Sequence, residues 1–169
     1  MQLSGAFRDA MARFAGAVTV VTTGHGEDRC GLTATAVCSL SADPPSILVC
    51  INSSASAHDA IVRQGSFGVS LLRPDQRFVA ERFAGQDGRT GAARFDGSDW
   101  IERVTGAPLL AGATVALDCR LIQRFDGYSH SIMIGQVEAI ELHPVEMSEC
   151  LLWHERAFRR IVDVIPLTG

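Results

Sequence analysis

The chain has 169 residues and a formal charge of −4, with 15 Lys and Arg against 19 Asp and Glu. This length predicts a single domain over residues 1–169, which buries about 70% of its unfolded surface without a metal or disulfide. The basic residues are scattered, which argues against nucleic acid and against a membrane surface as main partners. No apolar run reaches the ~18 residues of a membrane span and no signal-peptide pattern follows Met1, so we predict a cytoplasmic protein.

The cysteines and histidines show no pattern of a disulfide framework or a metal site. The cysteines are Cys30, Cys38, Cys50, Cys119 and Cys150, an odd number, and four of them lie in strand-like apolar runs. We interpret them as reduced core residues. No C-x-x-C motif occurs and the histidines have no zinc-binding spacing, so we predict no metal ion.

The N-terminal part of the chain predicts a helix followed by a β-hairpin. Apolar residues recur at helical spacing between Ser4 and Gly16, at Phe7, Met11 and Phe14, and we interpret this stripe as facing the core. The β-prone run 18–23 is followed by the Gly-containing turn 24–28, which predicts a hairpin with the next strand.

The stretch after this turn predicts strand, turn and strand. Two β-prone runs, Cys30–Ser39 and Ser46–Asn52, flank a break at Leu40–Pro45 that continues neither strand. No side chain between Thr33 and Ala36 is larger than threonine, so one face of the sheet has a shallow floor on which a flat ligand can lie. The alternative is a core strand whose small residues let a helix or a second sheet pack closely.

A second feature follows directly, where hydroxyl residues lead from a strand end into a helix start. In the run 52–59 we predict Ser56 as the N-cap, with Asp59 three residues later. A helix N-terminus offers unpaired N–H donors, so serines beside it suit a phosphate. A flat floor next to such a cradle suggests a nucleotide-type cofactor.

The middle of the chain predicts a helix to Arg63, a half-buried strand at 67–71 and a helix from Arg73 to Ala84. The Gly-, Asp- and Arg-rich stretch 85–106 is either a surface loop or a binding segment in which Arg89 and Arg94 reach an anionic ligand.

The last part predicts a long hairpin from the runs 115–121 and 131–142, closed by a turn at 126–130. His130 in this turn is either a satisfied loop histidine or a side chain that projects over the floor strand. A final strand at 150–154 precedes a basic and aromatic tail at 156–160.

Six or seven strands with about three short helices and no βαβ alternation predict a mainly β fold, an antiparallel barrel with peripheral α-helices. The G-x-G-x-x-G and P-loop motifs are absent, which argues against Rossmann-type dinucleotide binding. No G-x-S-x-G elbow is present either.

Three segments together, Gly31–Ser39, Pro44–Pro45 and Val49–Asn52, resemble the signature of the short-chain flavin reductases. These are the NAD(P)H:flavin oxidoreductase components of two-component monooxygenases, such as the reductases of 4-hydroxyphenylacetate oxygenases. The resemblance covers almost the whole chain, from Phe7 to Arg156. It implies a split β-barrel of the FMN-binding type, usually a homodimer, with the flavin in a groove by the dimer contact.

The resemblance also implies roles for particular residues. The isoalloxazine would be lined by Thr33, Ala34, Thr35, Ala36, Val37, Cys38 and Ser39, and the ribityl chain and phosphate would meet Asn52, Ser53, Ser56 and Ala57. The segment that closes over the flavin tail would contain Phe83, Gly85, Arg89 and Phe95, and the C-terminal tail would add Arg156 and Phe158. His130 would face the nicotinamide as the catalytic-site residue.

Our first hypothesis is therefore an NAD(P)H-dependent flavin reductase that supplies reduced FMN or FAD to a separate monooxygenase by hydride transfer from NADH or NADPH. The second is a flavin-binding electron-transfer or sensor module without reductase turnover. A third is a related split-barrel oxidase that acts on another phosphate-bearing cofactor. The sequence leaves the flavin, the nicotinamide nucleotide and the oxygenase partner open.

Overall fold

The computed structural model describes residues 3–144 and 149–161, and both ends of the predicted domain, at 1 and 169, lie outside these ranges. The helices are α1 (Leu3–Met11), α2 (Ser56–Gln64) and α3 (Arg77–Phe83), with 3₁₀ turns at Gly26–Asp28, Pro74–Gln76 and Gly91–Phe95. The strands are β1 (Gly16–Ala17), β2 (Thr19–Thr23), β3 (Cys30–Ala34), β4 (Val37–Ala42), β5 (Pro45–Asn52), β6 (Ser66–Leu71), β7 (Trp100–Ile101), β8 (Leu109–Leu110), β9 (Val115–Gly127), β10 (His130–Leu142), β11 (Leu151–His154) and β12 (Ala157–Arg160). The fold is mainly β, as predicted.

Seven strands form one antiparallel sheet in the order β3-β2-β6-β9-β10-β5-β4. Its two edge strands, β3 and β4, follow each other in the chain and are joined by Thr35 and Ala36, which belong to neither strand. The described strands do not close into a hydrogen-bonded barrel, because this connection crosses from one edge to the other without a ladder between them. The predicted single run Cys30–Ser39 is thus two strands.

Apolar side chains from six of these strands meet in one buried cluster. Phe67, Ile51 and Met133 are at its centre, and Ile61 of α2 packs against the same cluster. Strand β6 is buried from Ser66 to Ser70, so it is covered on both faces rather than half-buried as predicted. The sheet therefore curls around a core that includes residues from both of its edges.

We expect the Gly135→Ala variant to lose stability, because a Cβ there would lie 2.5 Å from Cζ of Phe67 and 2.9 Å from Cβ of Cys119. Overpacking of this kind costs about 1–3 kcal/mol, measurable as a lower urea midpoint. Gly5→Ala in α1 is the control, because no atom lies within 4 Å of the added methyl group. Equal midpoints for the two variants would contradict the packing described for Gly135.

A second cluster fixes the stretch after α3. The rings of Phe83 and Phe95 meet edge to face with centroids 5.0 Å apart, and Trp100 lies 4.7 Å from Phe95. This cluster holds the 3₁₀ turn at 91–95 and the β7–β8 pair against the rest of the molecule. Much of the predicted irregular stretch 85–106 is therefore packed structure.

The apolar stripe of α1 does not face the core, so that prediction is wrong. Leu3, Phe7, Met11 and Phe14 are between 46% and 86% exposed. The contacts that hold this segment are polar ones to the β11–β12 turn, where the Glu155 amide donates to the Ala12 carbonyl at 2.7 Å and Arg156 pairs with Asp9 at 2.5 Å.

The cysteines are all free thiols, but they are not all core residues as predicted. Cys30 and Cys119 are buried, whereas Cys38 is exposed on β4. Burial raises the pKa of Cys119 to about 12, so that thiol stays protonated. Among the described residues no helix has the length and apolar character needed to cross a membrane.

Candidate functional site

The predicted floor lies at the junction of β3 and β4. Thr33, Ala34 and Thr35 line a pocket of about 230 Å³ whose other walls come from α3 and the C-terminal hairpin. The remaining lining residues are Val18, Ala80, Ala84, Gln86, Trp153 and Phe158. The Thr33 hydroxyl donates to the Ala80 carbonyl at 2.6 Å, which fixes α3 beside the floor. This pocket is smaller than the ~300–1,000 Å³ typical of sites that enclose a drug-sized ligand, so it would enclose part of such a ligand rather than all of it.

The second half of the predicted floor faces a different hollow. Val37, Cys38 and Ser39 line a space of about 300 Å³ together with apolar residues of the neighbouring strands. Ala36 lies between the two hollows, and its carbonyl accepts a hydrogen bond from the Cys50 amide at 3.0 Å. Because β3 is an edge strand, the main-chain groups on its outer side have no ladder partner.

The strand end after β5 forms a tight, hydroxyl-rich turn. The Asn52 side-chain oxygen accepts from both the amide and the hydroxyl of Ser54 at 2.9 Å. The Ser53 amide donates to the Ser129 carbonyl at 2.9 Å, so its hydroxyl is the group left facing outward.

Helix α2 begins at Ser56, but this serine is not the N-cap as predicted. Ala55 occupies the cap position and makes no side-chain cap hydrogen bond, and Asp59 bonds to His58 rather than to the backbone. The Ser56 hydroxyl is exposed, whereas Ala57 is buried and can offer a ligand only its backbone amide. The His58 amide donates to the Ala55 carbonyl at 2.9 Å, so the amides of Ser56 and Ala57 are the ones left without a helical acceptor at the helix start.

His130 begins β10 directly opposite Asn52 of β5. It is exposed, and its Nδ1 lies 2.9 Å from the Ser129 hydroxyl. The structure therefore brings the histidine turn, the Asn52–Ser53 strand end and the α2 start together on one side of the sheet.

The arginines after α3 have different surroundings. Arg94 donates to the carbonyls of Gly31 at 3.0 Å and of Arg89 at 2.9 Å, so it pins the segment to β3. Arg89 is 43% exposed, with its guanidinium 3.7 Å from Asp87 and 3.8 Å from Asp96. The exposed Gly85 ends α3 with a positive φ of 80°. Arg94 is thus structural, and Arg89 remains open to a ligand.

The predicted aromatic and tail residues separate into two groups. Phe83 and Phe95 are 2% and 1% exposed, so they support the segment from inside and their side chains do not reach a ligand. Phe158 lines the floor pocket and meets Trp153 edge to face at 4.9 Å. Arg156 points instead to Asp9 of α1.

Sequence reasoning missed several residues around this site. Gln86 and Trp153 line the floor pocket, and next to the His130 turn the buried His58 and Ser131 form a hydrogen-bonded chain that ends at the exposed Asp126. The histidine two residues after Ser56, His58, is visible in the sequence, but its hydrogen-bond partner on β10, Ser131, is 73 residues further along the chain.

Taken together, a curled antiparallel sheet, a small-residue pocket and a serine-rich helix start are features expected of a small mainly β protein that binds a flat, phosphate-bearing cofactor. A family model described as "Flavin reductase like domain" matches residues 11–162. The chain belongs to this family.

Named relatives agree with this membership. The chain is 44% identical over 156 residues to FMN reductase (NADH) RutF 2 of Methylorubrum extorquens, covering 92% of this chain and 88% of the relative. It is 41% identical to FMN reductase (NADH) RutF of Stutzerimonas stutzeri, covering 90% and 85%.

Solved structures agree as well. BorF, the flavin reductase component of a bacterial two-component tryptophan halogenase, superimposes with a TM-score of 0.85 at 37% identity and covers 95% of this chain and 99% of its own. SgcE6 of Streptomyces globisporus, an NADH:FAD oxidoreductase, gives 0.86 at 33% identity, covering 96% and 95%.

Proposed function

We propose that this protein is an NAD(P)H-dependent flavin reductase that supplies reduced flavin to a separate monooxygenase. The observation that carries the proposal is the pocket over Thr33–Thr35, which has an aromatic wall. The same chain has exposed serines at the start of α2. The names of the relatives support the same activity.

The residues present fit a flavin. The floor carries no side chain larger than threonine, and Trp153 and Phe158 provide an apolar wall on one side of the pocket. The outward hydroxyls of Ser53 and Ser56, with the first amides of α2, would hold the phosphate. Arg89, in the segment after α3, would add a positive charge for the anionic part of the cofactor. Thr35 and Ala36 would offer backbone groups to the ring.

The chemistry that a bound flavin supplies is acceptance of a hydride from NAD(P)H. The protein's part is to hold two flat rings in a reactive arrangement and to limit water around them. We place His130 at the nicotinamide side, where its exposed ring would bind and orient the dinucleotide. Backbone N–H groups of the floor would stabilise negative charge that grows on the ring system.

The same proposal extends to the protein that accepts the reduced flavin and to the cellular compartment. BorF is the flavin reductase component of a two-component tryptophan halogenase, and a second similar structure is component B of a nitrilotriacetate monooxygenase. These names support a separate oxygenase as the acceptor. The open floor pocket suits a flavin that leaves after reduction, and the isoalloxazine ring that would lie there is common to FMN and FAD. Free thiols suit a reducing compartment such as the cytoplasm.

We further propose that the protein is a homodimer with a split-barrel arrangement. Phe125, Ile132 and Cys50 form a cross-strand row on β9, β10 and β5, and Ile134 and Leu48 form the next row. Phe125 is 49% and Ile132 39% exposed, an unusual density of apolar side chains for a sheet face in water. A second copy would cover this face and complete the walls around the floor.

We expect the Phe125→Arg variant to be monomeric, because a buried unpaired guanidinium opposes association across this face. Size-exclusion chromatography with light scattering would show the mass of one chain instead of two. Val104→Arg is the control, since Val104 is 64% exposed in a loop away from this face and its variant should keep the wild-type mass. A wild-type protein of single-chain mass would overturn the dimer.

A steady-state assay that crosses FMN and FAD with NADH and NADPH tests the activity. The proposal predicts flavin-dependent oxidation of at least one nicotinamide nucleotide. Flavin binding without any oxidation would instead indicate a binding module. Binding of neither flavin, judged by the absorption spectrum of the mixture, would overturn the proposal and leave another phosphate-bearing cofactor.

A further inference from the structure

A chain of hydrogen bonds with a buried centre and exposed carboxylates at its ends runs next to the His130 turn. His58 of α2 is 7% exposed, and its Nε2 lies 2.8 Å from the Ser131 hydroxyl. The Ser131 hydroxyl, on a residue only 1% exposed, donates to Asp126 of β9 at 2.7 Å. Asp126 also accepts from Arg124 at 2.9 Å, and Asp59 lies 2.8 Å from the other ring nitrogen of His58.

The direction of these hydrogen bonds follows from the number of protons. A serine hydroxyl has one proton to donate, and Ser131 gives it to the Asp126 carboxylate. Ser131 then accepts from Nε2 of His58, and the Asp59 carboxylate, which can only accept, takes a hydrogen bond from Nδ1, so this arrangement has a proton on both ring nitrogens. The hydrogen bond from Ser131, with the charge of Arg124, holds the pKa of Asp126 below its ordinary value, so this carboxylate remains an acceptor.

This chain joins the two halves of the proposed site. His58 is two residues after Ser56 in the first turn of α2, and Ser131 directly follows His130 on β10. The β5–β10 ladder, which pairs Asn52 with His130, and the backbone bond between Ser53 and Ser129 join the same two turns through the main chain, and the His58–Ser131 bond adds a side-chain link from α2. The His58–Ser131 bond is buried, so water competes little with it and its loss would leave polar groups unpaired, whereas the Asp126 end of the chain is 63% exposed.

We propose that His58 is a positioning residue, which acts through Ser131 to hold the His130 turn at a fixed distance from the phosphate-binding start of α2. This inference rests on the proposed reductase function. His58 touches neither the flavin nor the nicotinamide. It sets where His130, on the nicotinamide side, stands relative to a flavin whose phosphate is held at the start of α2.

The kinetic test combines His58→Phe, which removes both ring donors, with His130→Ala in a double-mutant cycle. We expect His58→Phe to lower kcat/KM for NADH by about tenfold, because small displacements of positioned groups weaken catalysis strongly. Flavin affinity should change less than about twofold. In the His130→Ala background the same substitution should have less than about a twofold effect, since the two residues act as one unit. His58→Gln, which keeps a side-chain N–H donor, should restore most of the activity.

The control is His25→Gln, an exposed histidine 4.0 Å from Glu102 on another part of the surface, which should match wild type. The inference would be overturned if the fold-losses in kcat/KM of His58→Phe and His130→Ala multiplied in the double variant. A His58→Phe variant with wild-type kcat/KM would overturn it as well. If His58→Phe fails to fold, Ser131→Ala, which removes one oxygen atom, takes its place in the cycle.

A spectroscopic readout separates this inference from the reductase proposal itself. In ¹H–¹⁵N spectra of flavin-free protein, His58 should show a protonated Nε2, and Ser131→Ala should shift the backbone amides of Ser53 and His130. An unprotonated Nε2, or unshifted amides, would overturn the link even in an active enzyme. A wild-type protein without reductase activity would overturn the proposed function while leaving this structural result intact.

Discussion

We expect the His130→Ala variant to lose about 100-fold in kcat/KM for NADH while it binds flavin within about twofold of wild type. The reason is the position of His130, exposed at the start of β10 and opposite Asn52, where it borders the proposed cofactor site without contributing to the core. Alanine removes the ring that would orient the nicotinamide and leaves the floor pocket untouched. Stopped-flow measurement of flavin reduction, with flavin affinity measured separately by fluorescence, distinguishes the two effects.

His25→Ala is the matched control, because His25 is also an exposed histidine but lies near Glu102. Its rates should equal those of wild type. A His130→Ala variant with unchanged kcat/KM for NADH would remove the histidine from the site, even if the protein remained a flavin reductase. A loss of flavin affinity without a change in the nicotinamide step would move His130 to the flavin side.

The second large effect is expected from filling the floor pocket. Ala84 lines this pocket and is exposed at the C-terminal cap of α3, so a larger side chain there can be tolerated by the fold. In the Ala84→Trp variant the indole would occupy much of the about 230 Å³ that the pocket offers. We expect flavin affinity to fall at least about 100-fold, a loss of roughly 2.7 kcal/mol in binding free energy.

Titration of flavin fluorescence against the variant measures this affinity directly. Ala84→Ser, which adds one oxygen atom, should bind flavin like wild type, and both variants should have the thermal midpoint of the parent protein. Wild-type flavin affinity in Ala84→Trp would show that the ring binds elsewhere. The second hollow at Val37–Ser39 would then be the place to examine.

The strand pattern was largely predictable because it depends on local sequence. The β9–β10 hairpin follows from two alternating apolar runs on either side of a Gly-containing turn, and its ladder pairs residues close to that turn. Helix α2 ends at Gln64, one residue beyond the predicted Arg63, because the next residue, Gly65, has the positive φ of 68° that glycine adopts easily at a helix C-cap. Features of this kind need only neighbours along the chain.

Other features depend on which surfaces meet, and the sequence did not reveal them. The stripe at Phe7, Met11 and Phe14 has the spacing of a core helix, yet spacing alone does not say whether an element exists to cover it. Phe95 looks like an isolated aromatic in a loop, and only the fold places Phe83 and Trp100 around it. The break of the run 30–39 into two strands likewise depends on Cys50 pairing with Ala36.

The candidate site was predictable in its location more than in its contacts. The small residues at Thr33–Thr35 do line a pocket, and the serines near Ser56 are exposed as a phosphate site requires. The identity of the capping residue, the role of Arg94 and the His58–Ser131 contact all depend on side-chain geometry between distant segments. Residue types alone do not determine such geometry.

The most direct measurement is a crystal structure of the protein with FMN bound. We predict electron density for the ring system over Thr33–Ala36, beside Trp153 and Phe158, with the phosphate near the hydroxyls of Ser53 and Ser56. Density for the ring in another place, with the pocket filled by the protein's own aromatic side chains, would contradict the assignment of this floor as the cofactor site.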